Sequence, residues 1–219
     1  MKLKKGVLIV LEGIDGSGKS TQARRLVGAL RRVGVDTAFF REPTRGPWGR
    51  LIRSKASRPR SLTAEEELFL FLLDRGDNVA RNLRPALKRK QTVVLDRYYF
   101  STIAYQGARG IGRDRIRRLN ERFAPRPDLV FILDVPPERG LGRIAGRRRR
   151  EPLFERRAFL RRVRRNFLAF RGPAFIHLDG RGDPRSIAAV IRARVFRLLK
   201  NVMTSSIPQR NAGKALDRE

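Results

Sequence analysis

Between Val7 and Gln22 an apolar run passes directly into a glycine-rich turn, Val-Leu-Ile-Val-Leu-Glu-Gly-Ile-Asp-Gly-Ser-Gly-Lys-Ser-Thr-Gln. A strand that hands over to a helix through Gly13, Gly16 and Gly18 leaves few folds open. The three glycines let successive backbone N–H groups converge on an anion with no side chain in the way. The helix that begins at the end of the loop adds unpaired N–H groups and the positive end of its dipole. The complete G-x-x-x-x-G-K-S spacing therefore predicts a triphosphate grip built from Gly13, Ile14, Asp15, Gly16, Ser17, Gly18, Lys19, Ser20 and Thr21. Lys19 reaches the β and γ phosphates, and the Ser20 hydroxyl is placed to ligate magnesium.

The rest of the chain repeats an α/β alternation. Short apolar runs at Val7 to Leu11, Thr37 to Phe40, Thr92 to Leu95, Leu129 to Leu133 and Phe175 to Leu178 are separated by segments of helical periodicity. Five such strands predict an α/β fold, a doubly wound sheet of five parallel strands flanked by helices, of P-loop NTPase type. Helix one runs from Lys19 to about Val33, where Gly34 stops it. Thr63 and Glu66 form a capping box that opens a long helix through Phe71 and Arg75, which Pro85 kinks or ends. Further helices are expected over Asp114 to Phe123 and Asp183 to Leu199. At 219 residues the chain suits one domain, 1–200, with 201–219 read as a disordered tail.

Composition narrows the function classes. With no cysteine, disulfides and thiolate metal sites are excluded, which suits a reducing compartment. The first apolar run ends at Glu12, too short for a signal sequence or a membrane span, so a soluble cytoplasmic protein is expected. The balance is abnormally basic, with 51 Lys and Arg against 21 Asp and Glu and a net charge of +30. Such a charge suggests a polyanionic partner, yet the arginines are scattered along helices without stacking aromatics, so nucleic acid enters only through non-specific charge.

Two further constellations carry chemistry. The third strand ends Leu-Asp-Arg-Tyr, and ligands of open α/β sheets bind at the carboxyl ends of strands. This brings Asp96 and Arg97 to the same crevice as the loop, Asp96 for magnesium through water and Arg97 for a phosphate. Asp134 also ends a strand but ranks second. On the long helix Phe71 and Arg75 are four apart and share a face, so a flat ring and a planar cation can read a nucleobase. An arginine donates to a carbonyl such as O4 of thymine, whereas the N4 amino group of cytosine meets it donor to donor. Ser101-Thr-Ile-Ala-Tyr-Gln-Gly107 follows the Asp96-Arg97 turn with four polar side chains in reach of a sugar and a base. No Ser/His or Cys/His pair is present, and transfer to a phosphate acceptor needs none.

Together these residues resemble the bacterial thymidylate kinases of the P-loop nucleoside-monophosphate kinase group. The resemblance covers roughly residues 5–195 and rests on Glu12 to Thr21, Arg41-Glu42-Pro43, Phe71 with Arg75, Asp96-Arg97-Tyr98, and Ser101-Thr102 with Ala104-Tyr105-Gln106-Gly107. It implies that ATP and Mg²⁺ phosphorylate dTMP to dTDP, and that the protein is a homodimer. Phe71 would stack on thymine, Arg75 would bond O4, and Thr102 with Gln106 would serve the remaining base edge. Tyr105 would lie by the sugar 2′ position, Asp15 by the acceptor sugar or metal. Arg97 and the loop of Arg41, Glu42 and Pro43 would position the acceptor phosphate. Because Gly16 follows Asp15, the loop has no arginine for the transferring phosphate. A basic lid at about 138–156 would supply it, through Arg143 and Arg147, with Arg148 to Arg150 in reserve.

Two departures from the family pattern stand out. Thr44-Arg45-Gly46 replaces the usual Gly-Gly-Thr after Arg-Glu-Pro, and Pro152-Leu153 replaces an acidic residue and arginine before Phe154-Glu155. The alternatives are a related nucleotide kinase of different base preference, and a nucleic-acid-binding P-loop protein with weak or lost kinase activity.

Overall fold

The computed structural model describes residues 3–56, 62–144 and 153–203. Five strands, β1 (Val7–Glu12), β2 (Thr37–Arg41), β3 (Thr92–Asp96), β4 (Leu129–Asp134) and β5 (Phe175–Asp179), form one sheet in the order β2-β3-β1-β4-β5. Every pairing is parallel. Each strand runs one residue further than its apolar run, because the polar residue after the run still belongs to the ladder. In β1, β3 and β4 those residues are Glu12, Asp96 and Asp134.

Side chains alternate across a strand, so a strand covered on both faces reads as an unbroken apolar run. The two cores show that alternation. Leu8, Val10, Val93, Leu95, Val130 and Ile132 face one cluster. Val7, Ile9, Leu11, Val94, Phe131 and Leu133 face the other. The second layer is formed by α1 (Lys19–Arg32) and α9 (Pro184–Val202). The first includes α3 (Ala64–Asn78), α5 (Tyr99–Ala108), α6 (Arg113–Glu121) and α8 (Leu153–Leu168). Two shorter helices, α2 (Pro47–Ala56) and α7 (Pro137–Ile144), follow β2 and β4, and α4 (Arg84–Lys88) precedes β3. The helix α2 was not expected from the sequence.

Local signals set the helix ends. The Thr63 hydroxyl accepts from the Glu66 N–H and the Glu66 carboxylate accepts from the Thr63 N–H, the reciprocal capping box read in the sequence. The Asp183 carboxylate caps α9 by accepting from the N–H groups of Arg185 and Ser186. Of the two outcomes expected at Pro85, a disturbed helix or an ended one, the structure shows the first: the helix through Arg75 widens into a π turn over Val79–Leu83 and continues as α4 to Lys88. In the wider turn the Arg84 N–H bonds the Val79 carbonyl, and the chain passes on into Pro85, which has no N–H to donate. One expectation is corrected. The tail was placed from residue 201, yet α9 extends to Val202, and Met203 pairs with Leu3. Val202 is buried against the same layer as Leu199 and Val195, which holds the last turn in place. Residues 204–219 lie outside the described residues.

Phe131 is wholly buried between the sheet and the α1–α9 layer. Replacing it with alanine is expected to cost about 3–5 kcal/mol through lost burial and the cavity left behind. Chemical denaturation checks this, and a loss under about 1 kcal/mol would mean the layer is not close-packed.

Candidate active site

The glycine-rich loop leaves β1 with Gly13 at φ 142°, Gly16 at φ 77° and Gly18 at φ 94°. Gly16 is constrained twice, since a Cβ there would lie 2.1 Å from the Gly140 carbonyl oxygen of α7. Lys19 opens α1 and is buried. Its Nζ donates to the Ile14 carbonyl at 3.0 Å and stands 3.9 Å from Asp15 Oδ1. Burial, reinforced by the neighbouring Arg97 charge, pushes this ammonium down to about 7.

Parallel pairing sets Leu11 beside Asp96, so the end of β3 adjoins the loop. The Ser20 hydroxyl donates to Asp96 Oδ2 at 2.5 Å, and Arg41 Nε lies 3.5 Å from the same oxygen. Asp96 Oδ1 is buried and has no hydrogen-bond partner among the described residues. The pair offers oxygen donors only, which suits a hard divalent cation.

Arg97 turns the chain away from the sheet at φ 74°, a left-handed conformation uncommon for a side-chain-bearing residue. Its N–H is bonded to the Leu11 carbonyl at 3.0 Å. The guanidinium donates to Asp15 Oδ1 at 2.5 Å and to Ser101 Oγ at 2.9 Å, and lies 5.5 Å from the centre of the Tyr105 ring. Beneath it sits Glu12, wholly buried. Glu12 accepts from the N–H groups of Tyr98 and Ser101 at 2.8 and 3.1 Å and from the Ser101 hydroxyl at 2.6 Å. Burial raises the Glu12 carboxyl to about 7 against the pull of Ser101 and Arg97. Burial and the Asp15 charge likewise push the Tyr105 hydroxyl up to about 12.

A second cluster lies under α3. Arg75 is 1% exposed. Its Nε donates to Glu42 Oε2 at 2.9 Å, Nη1 to Asn120 Oδ1 at 2.5 Å and Nη2 to Thr102 Oγ1 at 3.1 Å. The guanidinium also lies 5.5 Å from the Tyr98 ring centre. Glu42 accepts from Asn78 as well, and burial holds its carboxyl above the ordinary range despite these donors. Phe71, four residues before Arg75, is half-buried. Gln106 Nε2 donates to Glu67 at 2.5 Å, which leaves its buried Oε1 without a partner among the described residues.

The loop at Thr44-Arg45-Gly46 is anchored by Asp74. Thr44 donates to it from N–H at 2.8 Å and from its hydroxyl at 2.6 Å, and Gly46 N–H returns to the Thr44 hydroxyl at 3.0 Å. On the opposite side Arg143, exposed near the end of α7, donates to the carbonyls of Gly16 at 3.1 Å and Gly180 at 3.3 Å. Arg147 to Arg150 and Pro152 lie outside the described residues. Asp134 is taken by a two-oxygen bond from Arg164 at 2.5 and 2.8 Å, and His177 bonds the Phe170 carbonyl.

The sequence-read residues thus fall into two neighbouring groups. Lys19, Ser20, Asp96, Arg97, Asp15, Arg41 and Tyr105 gather at the carboxyl ends of β1 and β3, and Arg143 reaches the loop from α7. Arg75, Glu42 and Thr102 form the other group. Glu42 faces Arg75 and Asn78 rather than standing beside the loop. Glu12, Asn78, Asn120, Glu67 and Asp74 were given no role from the sequence. Their signal is weak, because a buried acid or amide looks like any polar helix or strand residue until its long-range partner is known.

A parallel sheet with a glycine-rich phosphate loop at the end of β1, and an acid on β3 bonded to the loop's serine, defines a P-loop nucleotide-binding protein. A family model described as thymidylate kinase matches residues 11–182. A thymidylate kinase of Xanthomonas campestris pv. campestris (strain B100) is 40% identical over 210 residues, 96% of this chain and 92% of that protein. Another from Akkermansia muciniphila is 45% identical over 189 residues, 86% of this chain and 91% of the relative. The chain belongs to the thymidylate kinase family, and is a phosphotransferase.

A raised carboxyl pKa means that the folded state holds its proton more tightly than the unfolded chain. Glu12 therefore contributes stability below its unfolded value of 4.5, and loses that contribution as pH rises through about 7. Compared with Glu12→Gln, the wild-type protein is expected to lose ground between about pH 5 and about pH 8. Denaturation midpoints of both proteins at the two pH values test the sign, and a constant difference would refute it.

Proposed function

We propose that the crevice carries out the family's reaction, transfer of the γ-phosphoryl group of ATP to dTMP, with the two clusters dividing the work. The observation that carries this reading is the polarity of the second cluster. Glu67 can only accept, so Gln106 turns Nε2 toward it and keeps Oε1 as an acceptor. Arg75 can only donate. A base with a carbonyl at position 4 and an N–H at position 3 matches that pair, and thymine has both. Cytosine presents the reverse at each position.

In this reading Phe71 stacks on the base, Arg75 donates to O4, and Gln106 with Thr102 takes the remaining edge. Tyr105, half-buried with its hydroxyl enclosed near Asp15 and Arg97, lies by the sugar 2′ position and disfavours a ribose hydroxyl. Glu42 and Pro43 brace the site: Glu42 holds Arg75, while Arg41 beside Asp96 and Arg97 beside Asp15 face the acceptor phosphate. The ATP phosphates lie on the N–H groups of residues 13–21, with Lys19 on the β and γ oxygens. Ser20 and Asp96 would hold Mg²⁺, Asp96 by way of water, and the Oδ1 of Asp96, without a partner among the described residues, supports that role. Bound there, magnesium would supply charge neutralisation on the phosphate oxygens.

The arginine that meets developing charge comes from the lid at 138–156. Arg143, already against the Gly16 carbonyl, supports this, and Arg147 is its companion. Residues 1–200 act as one catalytic unit, and the protein is a cytoplasmic homodimer. No described helix is long and apolar enough to cross a membrane. Phe69 of α3, a large ring left 60% exposed, supports a partner surface.

The direct test is ADP release with ATP and Mg²⁺ over a panel of nucleoside monophosphates, in which dTMP is expected to have the highest kcat/KM. Preference for a cytidine or ribonucleotide substrate would overturn the base assignment. Lys19→Ala is expected to lower turnover on the order of a hundred- to thousandfold or more. Replacing Arg143 and Arg147 together by alanine should reduce kcat far more than it raises the KM for ATP. Unchanged kcat in that double variant would locate the transferring arginine elsewhere.

A further inference from the structure

Asn120 has no part in the roles assigned above, yet it is wholly buried and lies against the base-reading arginine. It sits on α6, forty-five positions along the chain from Arg75, and its amide has two partners. Oδ1 accepts from Arg75 Nη1 at 2.5 Å, and Nδ2 donates to the Ile116 carbonyl at 2.8 Å. The first partner can only donate and the second can only accept, so one orientation of the amide satisfies both. We infer that Asn120 is a positioning residue for base selection: it holds Nη1 of Arg75 so that the guanidinium presents a donor to the base carbonyl.

The inference rests on the reading of Arg75 as the group that meets O4. Arg75 has five N–H groups. Glu42 Oε2 takes the Nε–H and also lies 2.7 Å from Nη2, Thr102 takes an Nη2 hydrogen, and Asn120 takes one on Nη1. Glu42 and Thr102 restrain Nε and Nη2, while among the described residues Asn120 is what restrains Nη1. Fixing that last nitrogen removes the rotation that would let Arg75 withdraw from the base. Without Asn120 the cation keeps its ion pair to Glu42 but loses its aim. A base that offers a donor at position 4 is then penalised less.

The test compares Asn120→Leu, Asn120→Asp and Arg75→Ala, each measured for kcat and KM with dTMP and dCMP. Asn120→Leu removes the acceptor, and the ratio of kcat/KM for dTMP over dCMP is expected to fall about tenfold. The fall should appear as a raised dTMP KM at nearly constant kcat. Asn120→Asp keeps an acceptor for Nη1 and gives up the bond to Ile116, so it should keep the ratio within about threefold. A residue that only stabilised α6 would lower the melting temperature in both variants and leave the ratio unmoved, and that result overturns the inference. It also fails if Arg75→Ala collapses the ratio but Asn120→Leu does not. If Arg75→Ala leaves the ratio intact, the reading of Arg75 itself falls, and the inference falls with it.

Discussion

The site depends on one pairing, the parallel register of β1 with β3. Opposing Leu11 to Asp96 puts the carboxyl ends of both strands level, so the chain leaving β1 as a phosphate loop meets the chain leaving β3 as Asp96-Arg97-Tyr98. The phosphate loop, Asp96 and Arg97 of the proposed mechanism are brought together by that meeting, to which β2 adds Arg41 and α7 adds Arg143. Ser20 reaches Asp96, Arg97 reaches Asp15, and Glu12 takes the N–H groups of Tyr98 and Ser101 at the start of α5. A one-residue slip would turn Asp96 to the opposite face of the sheet and break each of these contacts at once. The register is held by burial of both strands on both faces, since a slip would also exchange the two hydrophobic cores.

That arrangement explains why the strands were legible in the sequence and the buried network was not. An unbroken apolar run in a parallel sheet is a local signal, and all five strands begin where the runs begin. Caps are local too, as Thr63 with Glu66 shows. The π turn over Val79–Leu83 is not, because a proline in a helical pattern announces a disturbance without saying whether the helix stops or widens. The last turn of α9 was missed for a related reason. Asn201 looks like the start of a polar tail, but the residue after it is buried against the sheet.

The site residues divide in the same way. Gly13 to Thr21, Asp96 and Arg97 could be singled out because each belongs to a short motif with a mechanism of its own, and the fold brings them together. Phe71 and Arg75 were read as a base-facing pair from their four-residue spacing, whereas the particular roles of Tyr105 and Gln106 came through family resemblance. Their geometry adds what no motif contains: Arg75 is not a free cation on a helix face but is shared among Glu42, Thr102 and Asn120. Glu42, grouped with Arg41 and Pro43 as one loop, belongs physically with Arg75. The partners that make the difference are 45 and 33 positions away in the chain, a distance over which sequence spacing carries no information.

The charges in the crevice work against one another. Buried Lys19 lies close to the partly buried Arg97, and Asp15 lies between them as a shared counter-ion at 3.9 and 2.5 Å. Burial, reinforced by the Arg97 charge, outweighs the carboxylates of Asp15, Asp96 and Glu12 around Lys19, and its pKa is depressed. A polyphosphate bound as proposed would change this balance. Its negative oxygens beside Lys19 would let that residue keep its proton, while Asp15 stays on Arg97. Relief of that unfavourable burial and of the Arg97 repulsion would add to the attraction between phosphate and loop, favouring a bound polyanion over a neutral ligand of the same shape. The same argument separates the site's charge from the +30 of the whole chain. Exposed arginines are screened by salt over about 8–10 Å and add little at that distance, whereas the pair of Lys19 and Arg97, buried and partly buried, is screened much less.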